Sequence, residues 1–218
     1  MILVTFAVPQ ESGAFIDRLR HSGSDGSVVL GNLGVEEVAV AHTGIGAAGA
    51  REMAERLLGK LRPRRVIGAG FAGGLDPALA TGELIAARNV STAALPPGIR
   101  AVHLASAPAP LETPAAKAQL RTSGADAVDL ESAALAAACA GARTPLLVLR
   151  VISDDAGEPL PLPAETAYDL ARQRPRPLAV LRHLQHHPAD IAPLLRFVQR
   201  LPMLQRVLAD AIESAICL

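Results

Sequence analysis

Apolar runs of strand length alternate with segments of helical spacing along most of this chain. Residues 2–8, ILVTFAV, are continuously apolar apart from one threonine, and a branched run of that length predicts a buried strand. The pattern then turns helical over residues 9–20, where Phe15, Ile16 and Leu19 share a side and Pro9 takes the tolerated first position. Residues 21–26 read as a polar loop, and residues 27–30 and 36–41 as two short strands of a hairpin around Gly31 to Gly34. A helix is predicted from the glycine turn after Thr43 to about Leu61. Strands follow over 65–69, 84–90 and 146–152, while 101–105 fits a further one. Helices are expected over 115–122 and from the acidic stretch at 129–131 to Ala140. Beyond Asp155 the pattern changes to a proline-rich loop and three helical pieces, separated by Pro175, Pro177, Pro188 and Pro202. Leu178, Leu181, Leu184, Leu194, Leu195, Val198, Leu204, Val207, Leu208, Ala211 and Ile212 supply their apolar faces.

Composition narrows the picture. Half of the 218 residues are hydrophobic but only 2 % are aromatic, so the core has to be built from Ala, Val, Leu and Ile. That suits helices packed on a parallel or mixed sheet. The length fits one domain over 1–218, with 164–218 as a helical extension packed on it. The 21 basic and 21 acidic residues balance, which speaks against nucleic acid as the main partner. Cys139 and Cys217 match no metal or redox spacing and read as buried, reduced thiols, consistent with a cytoplasmic setting. The apolar N-terminus is too short and lacks the basic leader of a signal peptide, and no run is long enough to span a bilayer.

Candidate chemistry sits where apolar strands end. The stretch 127–135, AVDLESAAL, is a strand that ends on Asp129 and Glu131 and turns into an alanine-rich helix. Glu131 either caps that helix or has a task, since a carboxylate among buried neighbours is costly. Glu11 lies just past the first strand and Asp154 just past the strand at 146–152. Three acids at strand ends are what a site along one edge of an α/β sheet needs.

Two glycine-rich turns accompany them. Gly44, Gly46 and Gly49 spell the G-x-G-x-x-G pattern after a strand, yet the next strand ends in GFAGGLDP without the acid that a dinucleotide ribose requires. The turn still offers backbone N–H groups to an anion or a hydroxyl. Gly68, Gly70, Gly73 and Gly74 allow either close approach of a ligand or tight packing on a helix. Arg182, His183, His186 and His187 fit a solvated helix end better than a metal site.

The ordered set AVPQE (7–11), TGIGAAGA (43–50), GFAGGLDPALATGEL (70–84), AVDLESAAL and RVISD (150–154) resembles the nucleoside phosphorylase and nucleosidase superfamily. The likeness is to its methylthioadenosine/S-adenosylhomocysteine nucleosidase branch, and the tail resembles hopanoid-biosynthesis-associated phosphorylase-like proteins. The resemblance implies a three-layer α/β/α fold around a central mixed sheet, assembly as a homo-oligomer, no cofactor and a small nucleoside as substrate. It implies that Asp154 protonates the departing purine, Glu131 binds the ribose hydroxyls and Glu11 activates water. Arg150 and Ser153 would hold Asp154 and the sugar edge. Gly44, Gly46, Gly70, Phe71, Ala72, Gly73 and Leu130 would line the substrate.

Three departures stand out. Phe71 replaces a small hydroxyl residue, Gly68 stands where purine phosphorylases carry an arginine, and the usual base-stacking aromatic is missing. Arg51 and Arg88 are the cations left that could meet a phosphate. The reading favours hydrolysis of a purine nucleoside, an adenosine with a bulky or apolar 5′ group, over phosphorolysis. A nucleoside-binding module without turnover is the alternative.

Overall fold

The computed structural model describes residues 1–25, 28–169 and 172–217. The first apolar run becomes β1 (Ile2–Phe6), buried throughout, and α1 (Pro9–Ile16) begins on its proline. Next come β2 (Arg20–Asp25), β3 (Val28–Leu33), β4 (Glu36–His42), α2 (Ala47–Leu61), β5 (Arg65–Gly74) and β6 (Leu84–Ala87). Then follow β7 (Arg100–Val102), β8 (Leu104–Ser106), α3 (Pro114–Arg121), β9 (Ala127–Asp129), α4 (Ser132–Gly141) and β10 (Leu146–Asp154). The tail contains α5 (Ala164–Ala167), the small pair β11 (Tyr168–Asp169) and β12 (Arg174–Pro175), α6 (Pro177–His186), a 3-10 turn (Pro188–Asp190) and α7 (Ile191–Cys217).

One mixed sheet runs in the order β2-β3-β4-β1-β5-β10-β6-β7, with β9 paired to β5 and β8 to β9. Its centre, β4-β1-β5-β10, is parallel. Successive residues feed opposite faces, as the two-residue repeat of a strand requires. Ile2, Val4 and Phe6 of β1 and Leu147, Leu149 and Val151 of β10 pack with Phe15 beneath α1 and with Leu204, Leu208 and Ile212 of α7. Leu3, Leu146, Val148 and Ile152 pack with Leu57 of α2 and Leu135 and Ala138 of α4. The result is the expected three-layer α/β/α arrangement. Because the central strands are parallel, their C-terminal ends share one edge, where ligands of such sheets bind.

Several expectations need correction. Most of the stretch read as a polar loop, 21–26, is in β2, a polar strand at the sheet's edge that pairs with β3 and needs no apolar face. Gly26 and Ser27, the end of that loop and the start of the next predicted strand, lie outside the described residues. The hairpin turns at Gly34, whose φ of 61° suits glycine, so Gly31 is inside β3 and not in the turn. Residues 101–105 contribute to two strands, β7 and β8, and β6 stops at Ala87.

Pro202 does not divide two helices: α7 passes through it. Pro202 and Val198 are both exposed, so the carbonyl that loses its helical donor lies on the solvent side. Cys139 is buried, and burial pushes its thiol up to about 11, but Cys217 is exposed. Among the described residues no helix is long and apolar enough to cross a membrane.

Candidate functional site

Glu11 sits in the first turn of α1 and reaches back to the end of β1. Its Oε2 accepts from Ala7 N at 2.9 Å and Val8 N at 3.3 Å, the backward half of a capping box. Oε1 accepts from Phe71 N at 2.9 Å on β5. Burial nevertheless raises its carboxyl, ahead of the lowering by these N–H groups and by the charge of Arg150. The carboxylate lies so close to β5 that a Cβ on Gly70 would stand 2.8 Å from Oε1. Gly70 is therefore a clearance for Glu11.

Glu131 occupies the N-cap position of α4 without capping it by its side chain. Asp129 takes that task, accepting from Ser132 N at 3.2 and 3.3 Å. Glu131 instead accepts from Gly46 N at 2.7 Å, across from the glycine turn. Burial, with the nearby Asp129 and Glu11 charges, pushes its carboxyl up to about 7 against the pull of Gly46 and Arg150. The turn was expected to offer its N–H groups to a ligand. Gly46 N is taken by Glu131, and Ile45 N by Gln173 Oε1 at 2.7 Å.

Arg150 does not hold Asp154, which corrects the expectation from RVISD. Two of its guanidinium nitrogens donate to the same oxygen, Asp129 Oδ2, at 2.8 and 3.1 Å, and the group also donates to Gly68 O and Ser132 Oγ. Asp129 also accepts from Ser106 Oγ at 2.7 Å. This closed buried network joins β10, β9, β5, β8 and α4.

Asp154 has different partners. Ser153 Oγ lies 2.5 Å from Oδ1, and Lys117 Nζ lies 2.5 Å from Oδ2. The same ammonium donates to Asp155 O at 2.5 Å and Glu158 O at 2.8 Å, using its three protons. Gly73 lets the carboxylate lie against β5, since a Cβ there would come within 3.3 Å of Oδ2. Lys117 was missed by sequence reasoning. Its signal was a lysine three residues before Leu120, on the face that α3 turns inward.

The three acids meet around one cavity of about 210 Å³. Glu11, Glu131, Asp154, Phe71, Ala72, Gly73, Leu130 and Ser153 all line it, with Lys117 and Asp129. Ile45, Ala109, Pro110, Leu111 and Leu160 add an aliphatic wall, so Phe71 is the one aromatic in the lining. A second cavity of about 20 Å³ adjoins it, bordered by Glu11, Gly70, Phe71, Glu131 and Arg150. Gly44 and Gly46 line neither cavity; they shape the turn, with φ of 79° and 95°. Arg51 pairs with Glu55 at 2.9 Å, and Arg88 donates to Ala101 O and approaches Asp126, so neither lines the cavity. In the tail, His183 Nε2 bonds Asp190 at 2.7 Å and its ring stacks on His187.

The sequence matches the family described as the phosphorylase superfamily over residues 2–111 and 102–185. No curated protein sequence matches the chain significantly. Among solved structures, the 5′-methylthioadenosine/S-adenosylhomocysteine nucleosidase of Streptococcus pneumoniae aligns with a TM-score of 0.71 at 16 % identity, covering 97 % of this chain and 96 % of the other. The Campylobacter jejuni nucleosidase of the same name aligns at 0.69 and 18 %, covering 98 % and 96 %. Futalosine hydrolase of Helicobacter pylori aligns at 0.69 and 17 %, covering 99 % and 97 %. At these identities the likeness is one of fold.

Proposed function

The chain belongs to the phosphorylase superfamily, and from that premise we propose that its cavity hydrolyses the N-glycosidic bond of a purine nucleoside, an adenosine carrying a bulky or apolar 5′ substituent. The convergence of Glu11, Glu131 and Asp154 on one space of small-molecule size carries this reading. Breaking such a bond builds positive charge on the sugar and negative charge on the departing base. Asp154, beside the aliphatic wall, faces the base and protonates it as the C1′–N9 electron pair departs. Glu131 accepts from the ribose hydroxyls. Glu11 takes the proton of the attacking water as its oxygen bonds C1′. Ser153 and Lys117 hold Asp154, and Ile45, Leu111 and Leu160 receive the apolar parts of the substrate.

The small cavity supports water as the nucleophile. Its 20 Å³ exceeds the ~10–15 Å³ that one water needs and is too small for a phosphate. Glu11 borders it and would orient that water. Similar structures include nucleosidases and a hydrolase, in keeping with this choice. Homo-oligomeric assembly and a cytoplasmic setting belong to the same proposal, and the free thiols of Cys139 and Cys217 suit a reducing compartment.

One observation favours a second reading, a nucleoside-binding module without turnover. Both oxygens of Asp154 act as acceptors, from Ser153 and Lys117, so Asp154 has to take up a proton before it can donate one. Incubation with methylthioadenosine, S-adenosylhomocysteine and adenosine, with and without phosphate, separates the readings by chromatography. Phosphate-independent release of adenine with a free sugar is expected. Binding without release supports the module, and a sugar 1-phosphate would mean phosphorolysis.

A further inference from the structure

Among the described residues, the outer faces of α6 and of the first half of α7 are left uncovered. No described residue from 172 to 203 is buried. Leu178 is 81 % exposed, Leu181 57 %, Leu195 53 % and Val198 48 %. Ile191, Leu195 and Val198 recur at four- and three-residue steps, so they form one stripe along α7. Helices owe most of their stability to burying such a face, and a contiguous exposed apolar surface marks a contact.

Charge indicates what makes that contact. Between 172 and 200 six arginines stand against Asp190 alone. Asp190 is bonded to His183, and Arg172 and Arg200 are paired with Asp169 and Glu158. Arg174, Arg182 and Arg196 are exposed and make no ion pair among the described residues. A second copy on this face would bring arginine against arginine across a two-fold axis, an unfavourable match. An apolar stripe bordered by uncommitted arginines matches a surface that is anionic outside and apolar beneath.

We propose that the α6–α7 segment docks the protein on the surface of a bilayer bearing anionic headgroups. Leu178, Leu181, Leu195 and Val198 enter the boundary between headgroups and acyl chains, while Arg174, Arg182 and Arg196 meet the headgroups. The segment lies on the bilayer, since neither helix is apolar enough to cross it. It is also tied to the rim of the cavity. Gln173 bonds both polar groups of Ile45, which lines the cavity, and Arg200 donates to Ser153 O. The inference does not depend on the reaction proposed above.

Co-sedimentation of the full chain with vesicles tests it, using phosphatidylcholine alone and phosphatidylcholine with roughly one third phosphatidylglycerol. Binding to the anionic vesicles only is expected, weakened at least about tenfold by high salt. Leu178→Glu combined with Leu195→Glu, and separately Arg174→Ala with Arg182→Ala and Arg196→Ala, should each lower that binding at least about tenfold. All five positions are exposed, so circular dichroism and nucleoside binding should stay as in the parent. Failure to bind either vesicle, or binding that both variants retain, would overturn the proposal. So would a dimer in light scattering that the leucine variant splits, because a second copy would then cover the face.

Discussion

Lys117 Nζ stands 2.5 Å from Asp154 Oδ2, with 1 % of the lysine side chain and 5 % of the aspartate side chain exposed. Removing one member of such a pair strands the other charge, which typically costs about 3–5 kcal/mol. Lys117→Met should therefore lower the melting temperature by on the order of 10 °C. Adding Asp154→Asn should recover part of that loss. A double-mutant cycle by calorimetry checks this, and simple additivity would mean that the pair is not coupled.

Asp154→Asn alone should leave nucleoside binding largely in place and lower the rate of base release by about 10²–10⁴-fold, the usual worth of general acid catalysis. Single-turnover kinetics on an adenine nucleoside reads the chemical step directly. An unchanged rate would move the role to another group, with neighbouring Asp155 the first to examine.

Glu131 links pH to stability and to binding. The unfolded chain gives up this proton near 4.5, but burial holds it in the folded chain to about 7. Between those values the folded state binds more protons than the unfolded one, so this group makes stability fall as pH rises from about 4.5 to about 7, then level off. The ceiling on that loss is on the order of 3 kcal/mol. Glu131→Gln should flatten this part of the stability profile in denaturant titrations. It should also weaken the preference for ribosides over 2′-deoxyribosides, and an unaltered preference would place the ribose hydroxyls elsewhere.

Gly70→Ala tests the clearance around Glu11. The added methyl would stand 2.8 Å from Oε1, so the carboxylate has to leave its place against β5. Base release should fall by at least about tenfold, as expected when a catalytic group is displaced. The sheet should remain, because Gly70 pairs along β10 through its backbone. Gly34→Ala, at an exposed turn, is the control: its φ of 61° makes it strained but remote from the site.

The sheet's centre was legible because its strands are buried on both faces and carry unbroken apolar runs. Glu11, Glu131 and Asp154 were legible for a related reason: each is a charge placed where such a run stops. The polar strand β2 has no apolar signature, being held by pairing to β3. Lys117, and the part Asp129 plays, escaped because both depend on partners distant in sequence: Asp154 lies 37 residues from Lys117, and Arg150 lies 21 from Asp129. The expectation that Arg150 steadies Asp154 failed because β10 shifts register between Ile152 and Asp154, so the regular alternation does not carry from one to the other. The guanidinium is taken by Asp129 and Gly68 instead. The proline at 202 misled because an exposed helix seam tolerates what a buried one would not.

The buried charges around the cavity have a consequence for selectivity. Four carboxylates, from Glu11, Asp129, Glu131 and Asp154, face two cations, Lys117 and Arg150, and both cations are spoken for by carboxylates of that set or by backbone carbonyls. An excess of carboxyl groups over cations gives the space a negative potential, one that grows as Glu131 ionises near 7. Such a space would sort ligands by sign before shape. On the proposed function, a free nucleotide, carrying its phosphates, would be disfavoured there, whereas a neutral nucleoside would be admitted and become better matched as its sugar turns cationic.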